Sequence, residues 1–207
     1  MSKTVIHGFG MDGICTSKIA EANNAWRGAV MVWQILESKY LPKYRPRYVP
    51  ASVPDDEIEE YLGYKPTRLS SSNVGAMSAV WHLLIADGVS ITDKIVLGTT
   101  FDNVLVRRDD IPKVIEAFEA FDKEHEGMTN LKEQADGLRA FYKDEEVSAV
   151  GWNQTSVNGE DWSNIGEPII DEDGDEVGGP YNFKTGNRHW WLFDVLKYAS
   201  EDSDNAE

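Results

Sequence analysis

Seven apolar residues, Ile19, Ala22, Trp26, Ala29, Trp33, Leu36 and Tyr40, recur at alternating steps of three and four. On an α-helix that spacing draws a single stripe, so it predicts one helix of roughly 24 residues. Thr16 and Ser17 are suitable N-caps for it, and Pro42 ends it. Val30, Val32 and Ile35 widen the apolar face, as expected of a core helix. Val5 and Ile6 centre a short strand over residues 3–9. Residues 42–50, PKYRPRYVP, hold three prolines and must run extended. Ser52 opens a short helix through Ile58, Tyr61 and Leu62, closed by Gly63. A third helix over 72–86 turns Met77, Val80, Trp81 and Leu84 inward.

The pattern changes after residue 88. Ile95–Leu97 and Val104–Val106 read as two strands of a hairpin. Asp109 and Asp110 open a helix that buries Ile111, Val114, Ile115, Phe118 and Phe121; Pro112 is tolerated in its first turn, and Gly127 ends it. Thr129 caps a further helix with Leu131, Ala135, Leu138 and Phe141 or Tyr142 inside. Residues 147–152 return as a strand, and Asn158-Gly159 signals a turn. Ile169-Ile170, DEDGDE and Val177 suggest a hairpin, and Arg188–Tyr198 a last helix.

The reading is an α+β fold. A helical N-terminal part, with one long and two shorter helices, packs on a small, mainly antiparallel sheet with two or three further helices. Residues 1–88 form the mainly helical part, 89–199 an acidic α+β part and 200–207 a disordered tail, the whole making one compact unit.

Charge alters the picture more than composition does. The stretch 144–183 contains no Lys or Arg and eleven Asp or Glu. The window 109–176 holds 20 acids and 5 bases, which is −15 of the net −16. Residues 1–50, with seven bases and three acids, carry +4. Such a field repels nucleic acid and anionic membrane and attracts basic protein surfaces. The single cysteine, Cys15, excludes an internal disulfide and reads as a packed residue. With no signal-peptide pattern and no apolar run of about 20 residues, a cytoplasmic protein is expected.

Several constellations bear on chemistry. Gly8-Phe9-Gly10-Met11-Asp12-Gly13 matches the G-x-G-x-x-G dinucleotide fingerprint between an expected strand and helix, but lacks the following strand with its acid. Asp171, Asp173 and Asp175 alternate like cation ligands, yet the EF-hand positions for Gly and Glu hold Glu176 and Asn182. The four histidines have no ligand spacing, and no serine elbow occurs. Trp152, Asn153, Gln154, Thr155 and Trp162, with Ser156, Asn158, Glu160 and Asp161, form the most site-like polar cluster, suited to a small polar ligand. Lys43, Arg45 and Arg47 interleave with tyrosines as in single-strand binders.

No catalytic residue, metal or cofactor is expected. The leading expectation is a non-enzymatic acidic interaction protein that binds a basic, nucleic-acid-binding partner, as a nucleic-acid mimic or inhibitor, without contacting nucleic acid or membrane itself. Its acidic face would comprise Glu116, Glu119, Glu124, Glu126, Asp144, Glu145, Glu146, Glu160, Asp161, Asp171, Glu172, Asp173, Asp175 and Glu176. The alternatives are a ligand-binding protein or enzyme using the Trp152–Trp162 cluster, and a self-assembling protein in which Lys43, Arg45 and Arg47 of one copy meet the acidic half of another.

Overall fold

A computed structural model of the chain describes residues 3–71, 73–143, 147–155 and 161–197. The expected Asn158-Gly159 turn and the 200–207 tail lie outside them. The fold is α+β, with a five-stranded mixed sheet and a separate two-stranded one. Strands β1 (Lys3–Gly10), β2 (Cys15–Asn23), β3 (Val104–Arg107), β4 (Val147–Thr155) and β7 (Trp190–Trp191) lie in the order β2-β1-β4-β3-β7. All neighbours are antiparallel except β3 and β7, which run parallel. Strands β5 (Pro168–Ile170) and β6 (Glu176–Gly178) pair as a hairpin of their own, as expected.

The long N-terminal helix is not formed. Its first half is β2, joined to β1 by a turn, and only the second half is helix α1 (Ala29–Tyr40). The turn supplies the reason. Asp12 Oδ1 accepts the Ile14 N–H, the Gly10 and Ile14 backbones bond, and Gly13 takes φ +89°. That geometry folds the chain back as a hairpin, and Ser17, Lys18 and Ala20 then pair with Gly8, His7 and Ile6 of β1, with irregularities in the ladder at Thr16 and Ile19. The G-x-G-x-x-G string is therefore a hairpin connection with no helix N-terminus behind it. Strand β2 is a sheet edge, and Lys18 and Glu21 with Lys3 of β1 clothe it in charge.

Helices α2 (Ile58–Leu62), α3 (Arg68–Ser71) and α4 (Asn73–Ile85) follow, with α2 closed by left-handed Gly63. Residues 95–97 are not a strand but lie in α5 (Ile91–Phe101), capped by Ser90 Oγ, which accepts the Asp93 N–H. Ile95, Val96 and Leu97 are all buried; a short apolar run of this kind carries no period by which sequence could separate strand from buried helix. Helices α6 (Ile111–Glu124) and α7 (Leu131–Phe141) form as expected. The expected C-terminal helix begins instead as β7, and among the described residues helix follows over 192–197.

Both faces of the large sheet are covered. The helices pack on one face against Ile6, Val104, Val106, Val150 and Trp152, in a core that also takes residues from α1, α4, α5, α6 and α7. The other face carries His7, Phe9, Leu105 and Ala149 and is roofed by the irregular chain 161–191 through Trp162, Tyr181 and Phe183. Gly151 makes this roof possible: a Cβ there would lie 2.3 Å from the Trp162 ring. Trp190 and Trp191, adjacent on a strand, point to opposite faces, Trp190 onto Trp81 and Trp191 onto Phe183.

One ion pair ties α1 to α5. The Asp93 carboxylate is buried and accepts from Lys39 Nζ at 2.9 Å and from the Tyr40 hydroxyl. The ammonium stays 37% exposed, so its removal leaves the buried carboxylate with the Tyr40 hydroxyl as its remaining donor. Lys39→Met should lower stability by about 1–2 kcal/mol, read as a fall in the urea midpoint at unchanged slope. Adding Asp93→Asn should recover part of that loss.

Candidate interaction surface

The carboxylates expected to form one acidic face do not lie together. Asp161 is drawn in beside buried His7, and the others described fall into two groups. The first, Glu116, Glu119, Glu124 and Glu126, sits on α6 and the connection after it, among further acids of α7, and two of these four are paired. Glu119 accepts from Arg139, Glu124 lies 3.2 Å from Lys39 Nζ, Glu133 lies 3.1 Å from Arg27, and Asp136 pairs with Lys132 and Arg139. Glu116 and Glu126 are exposed and without ion pairs among the described residues. Asp144, Glu145, Glu146 and Glu160 lie outside the described residues.

The second group is the β5–β6 hairpin. Asp171 Oδ1 accepts the N–H groups of Asp173 and Asp175, which fixes a tight tip at Gly174, φ +89°. Asp171 thus builds the turn rather than facing outward as a cation ligand. Around it Glu167, Glu172, Asp173, Asp175 and Glu176 are exposed and form no ion pair among the described residues. Ile169 and Ile170 stand 50% and 67% exposed beside them. Among the described residues, no three His, Cys, Asp or Glu side chains converge as a metal site.

The polar–aromatic cluster is taken apart by strand alternation. Trp152 points to the helical face, fully buried, its indole N–H donating to Gln134 Oε1 at 3.3 Å. Trp162, equally buried, stacks on Tyr181 under the opposite face. Asn153 bridges Asn103 and the Trp162 N–H. Gln154 accepts from Thr4 and Asn24 and donates to Thr99 O, and Thr155 donates to Lys3 O. These side chains join structural elements, and the sheet separates the two tryptophans.

The basic segment also divides. Arg45 closes its own loop, donating to Val53 O, Pro50 O and Asp55. Lys43 and Arg47 are exposed and without ion pairs among the described residues. Tyr48 meets Tyr64 through their hydroxyls at 2.6 Å.

Trp26, placed by the sequence pattern in the core stripe, is 84% exposed. It sits at φ +57° in the turn between β2 and α1, a left-handed conformation that costs a bulky residue roughly 1–2 kcal/mol. The surroundings hold it there. Asn23 Oδ1 accepts the Ala25 N–H, and Asn24 is buried with Thr4 and Gln154. Arg27 donates to Gly127 O and its own carbonyl accepts from Asn130 N–H. Gly28 has no room for a side chain, since a Cβ would lie 2.1 Å from Asn23 O. The signal was present in sequence, as Asn23-Asn24 before Trp26 and Gly28 after it are turn-formers that interrupt a helix.

Beneath the roof, His7 is 1% exposed. Its Nε2 lies 3.0 Å from Asp161 Oδ1, but too poorly aligned for a hydrogen bond. Burial outweighs the carboxylate and holds the imidazole below its ordinary value of 6.5. Burial likewise lowers His189, whose Nδ1 meets the Tyr181 hydroxyl at 2.8 Å. Burial raises the Asp161 carboxyl, but hydrogen bonds from Ser163 and the charges of His7 and Lys18 outweigh it and leave the group below 3.8. Burial, then the charge of Asp161, pushes the Cys15 thiol up to about 12, so no thiolate nucleophile exists at neutral pH.

No protein-family profile, curated protein or solved structure matches the chain. No helix among the described residues is long and apolar enough to cross a membrane.

The two histidines make stability depend on pH. Each binds a proton more readily unfolded than folded, so stability is complete above 6.5 and is lost as pH falls from there toward the folded values. The unfolding midpoint should fall on acidification through that window, before carboxylate protonation contributes below 4.5. His7→Gln should flatten part of the slope, and His7→Gln with His189→Gln should flatten most of it, as measured by thermal melts across pH.

Proposed function

We propose that this protein is a non-enzymatic interaction protein that presents an acidic surface to a basic protein partner. The observation that carries this reading is the β5–β6 hairpin, which projects four uncompensated carboxylates, Glu172, Asp173, Asp175 and Glu176, beside exposed Ile169 and Ile170. Exposed apolar side chains supply contact area, and carboxylates without intramolecular partners supply long-range attraction and selectivity for Lys and Arg. The α6–α7 acids contribute less, because their charge is already balanced by Lys39, Arg27, Lys132 and Arg139. A partner that ordinarily binds nucleic acid fits this chemistry, the hairpin then occupying its polyanion site as a mimic or inhibitor.

The test is retention from a cell lysate on the tagged protein, washed at rising salt. A basic protein should be held at low salt and released by high salt, since surface charge attraction is screened. Added DNA or RNA should compete if the site is a polyanion site. A hairpin neutralised by Glu172→Gln, Asp173→Asn, Asp175→Asn and Glu176→Gln should retain nothing. Equal retention by both forms, or recovery of the bait alone, removes the reading.

A further inference from the structure

Strand alternation gives the acidic hairpin two unlike faces. Ile169 pairs with Val177 across β5 and β6, so both lie on one face, while Ile170 and Glu176 share the other. The Gly179 N–H donates to Glu167 O, which extends the ladder downward and puts Glu167 on the Ile169 face. The Asp171 N–H donates to Asp175 O, which extends it upward and puts Asp175 on that face at the tip. The face therefore reads carboxylate, apolar pair, carboxylate. Its ends lie four residues apart along the strand, roughly 13 Å. Both carboxylates are exposed and form no ion pair among the described residues.

This face runs into a groove. A hollow of about 510 Å³ separates β5 from the chain 180–188, with Glu167 and Ile169 in its wall and Ile14, Ile165 and Pro180 among its apolar lining. Arg188, also at the groove, is engaged within the chain, and Lys184 donates to Met11 O. The base of the hairpin is held from both sides. A Cβ on Gly166 would lie 2.0 Å from Pro180 O, and one on Gly178 would lie 1.9 Å from Asn164 O. A surface fixed before binding loses little freedom when it is occupied.

We infer that this face binds an extended segment of the basic partner, in which one apolar residue packs on Ile169 and Val177 and a Lys or Arg two residues to either side meets Glu167 and Asp175. An extended chain has the same period of two as the hairpin face, so its side chains at alternate positions fall in step with the three sites. Cations belong at the ends, where the carboxylates lack partners. An apolar residue belongs in the middle, where Ile169 and Val177 stand 50% and 39% exposed. The groove receives the aliphatic stem of the base that reaches Glu167. The pattern rests on the acidic-hairpin reading and adds to it the sequence that the hairpin would recognise.

Fluorescence anisotropy of the full chain with a labelled peptide, Gly-Ser-Lys-Thr-Ile-Thr-Lys-Ser-Gly, tests it. The control is the same composition rearranged as Gly-Ser-Ile-Thr-Lys-Lys-Thr-Ser-Gly, which keeps the charge and loses the order. The ordered peptide should bind about tenfold tighter, the gain from half-burying one isoleucine. Ile169→Ser with Val177→Ser leaves every charge in place and alters only exposed side chains; it should abolish that preference at an unchanged melting temperature. Glu167→Gln should weaken the ordered peptide and reduce its salt dependence. Equal binding of the two peptides, binding of neither, or a preference that survives Ile169→Ser with Val177→Ser overturns the inference. Equal binding that is lost on neutralising Glu172, Asp173, Asp175 and Glu176 removes the pattern and leaves the acidic-hairpin reading standing.

Discussion

Gly151 has no side chain, and Trp162 lies where one would be. That absence lets a sheet with helices on one side accept an irregular roof on the other without a second helical layer. The indole settles on the strand backbone, with Phe9 and Tyr181 closing around it. On the next residue, Trp152, the same strand anchors the helical core. Strand alternation therefore gives β4 two unlike duties, and both depend on its register with β1, which a one-residue slip would exchange. Asn153 reinforces the register by tying the roof to the loop before β3.

Much of the fold was legible because amphipathic period and punctuation agreed. Helix α6, with Pro112 in its first turn and Gly127 beyond its end, and the hairpin around Asp173-Gly174 are examples. The failures had a common cause. The stripe from Ile19 to Tyr40 has helical spacing, yet Gly13 and Gly28 impose backbone geometries that no periodicity records. For Ile95–Leu97, burial on every side erased the period. The turn and the charge of the acidic hairpin were readable, because Asp and Gly dictate both. The exposure of Trp26 was signalled only by the turn-formers Asn23, Asn24 and Gly28, which the helical period masked, and tertiary bonds from Arg27 and Asn130 hold that turn. Trp152 and Trp162, close in sequence, were separated by the sheet between them.

The distribution of charge compensation matters more than the total. A net −16 looks like one polyanion in the sequence. Among the described residues, several acids of α6 and α7 are paired with bases, while the carboxylates of the β5–β6 hairpin form no ion pair. Electrostatic steering acts through how charge is distributed rather than through net charge alone.

The sole cysteine gives the roof a chemical clock. Cys15 lies buried at the edge of the sheet, its N–H bonded to Tyr181 O and its thiol held protonated by burial. While the roof is seated, the thiol is silent toward oxidants and alkylating reagents. When the roof lifts, solvent reaches the sulfur and its acidity returns toward the ordinary value. The rate of alkylation then reports the openings that uncover Cys15, and the thiol becomes sensitive to oxidants at those moments.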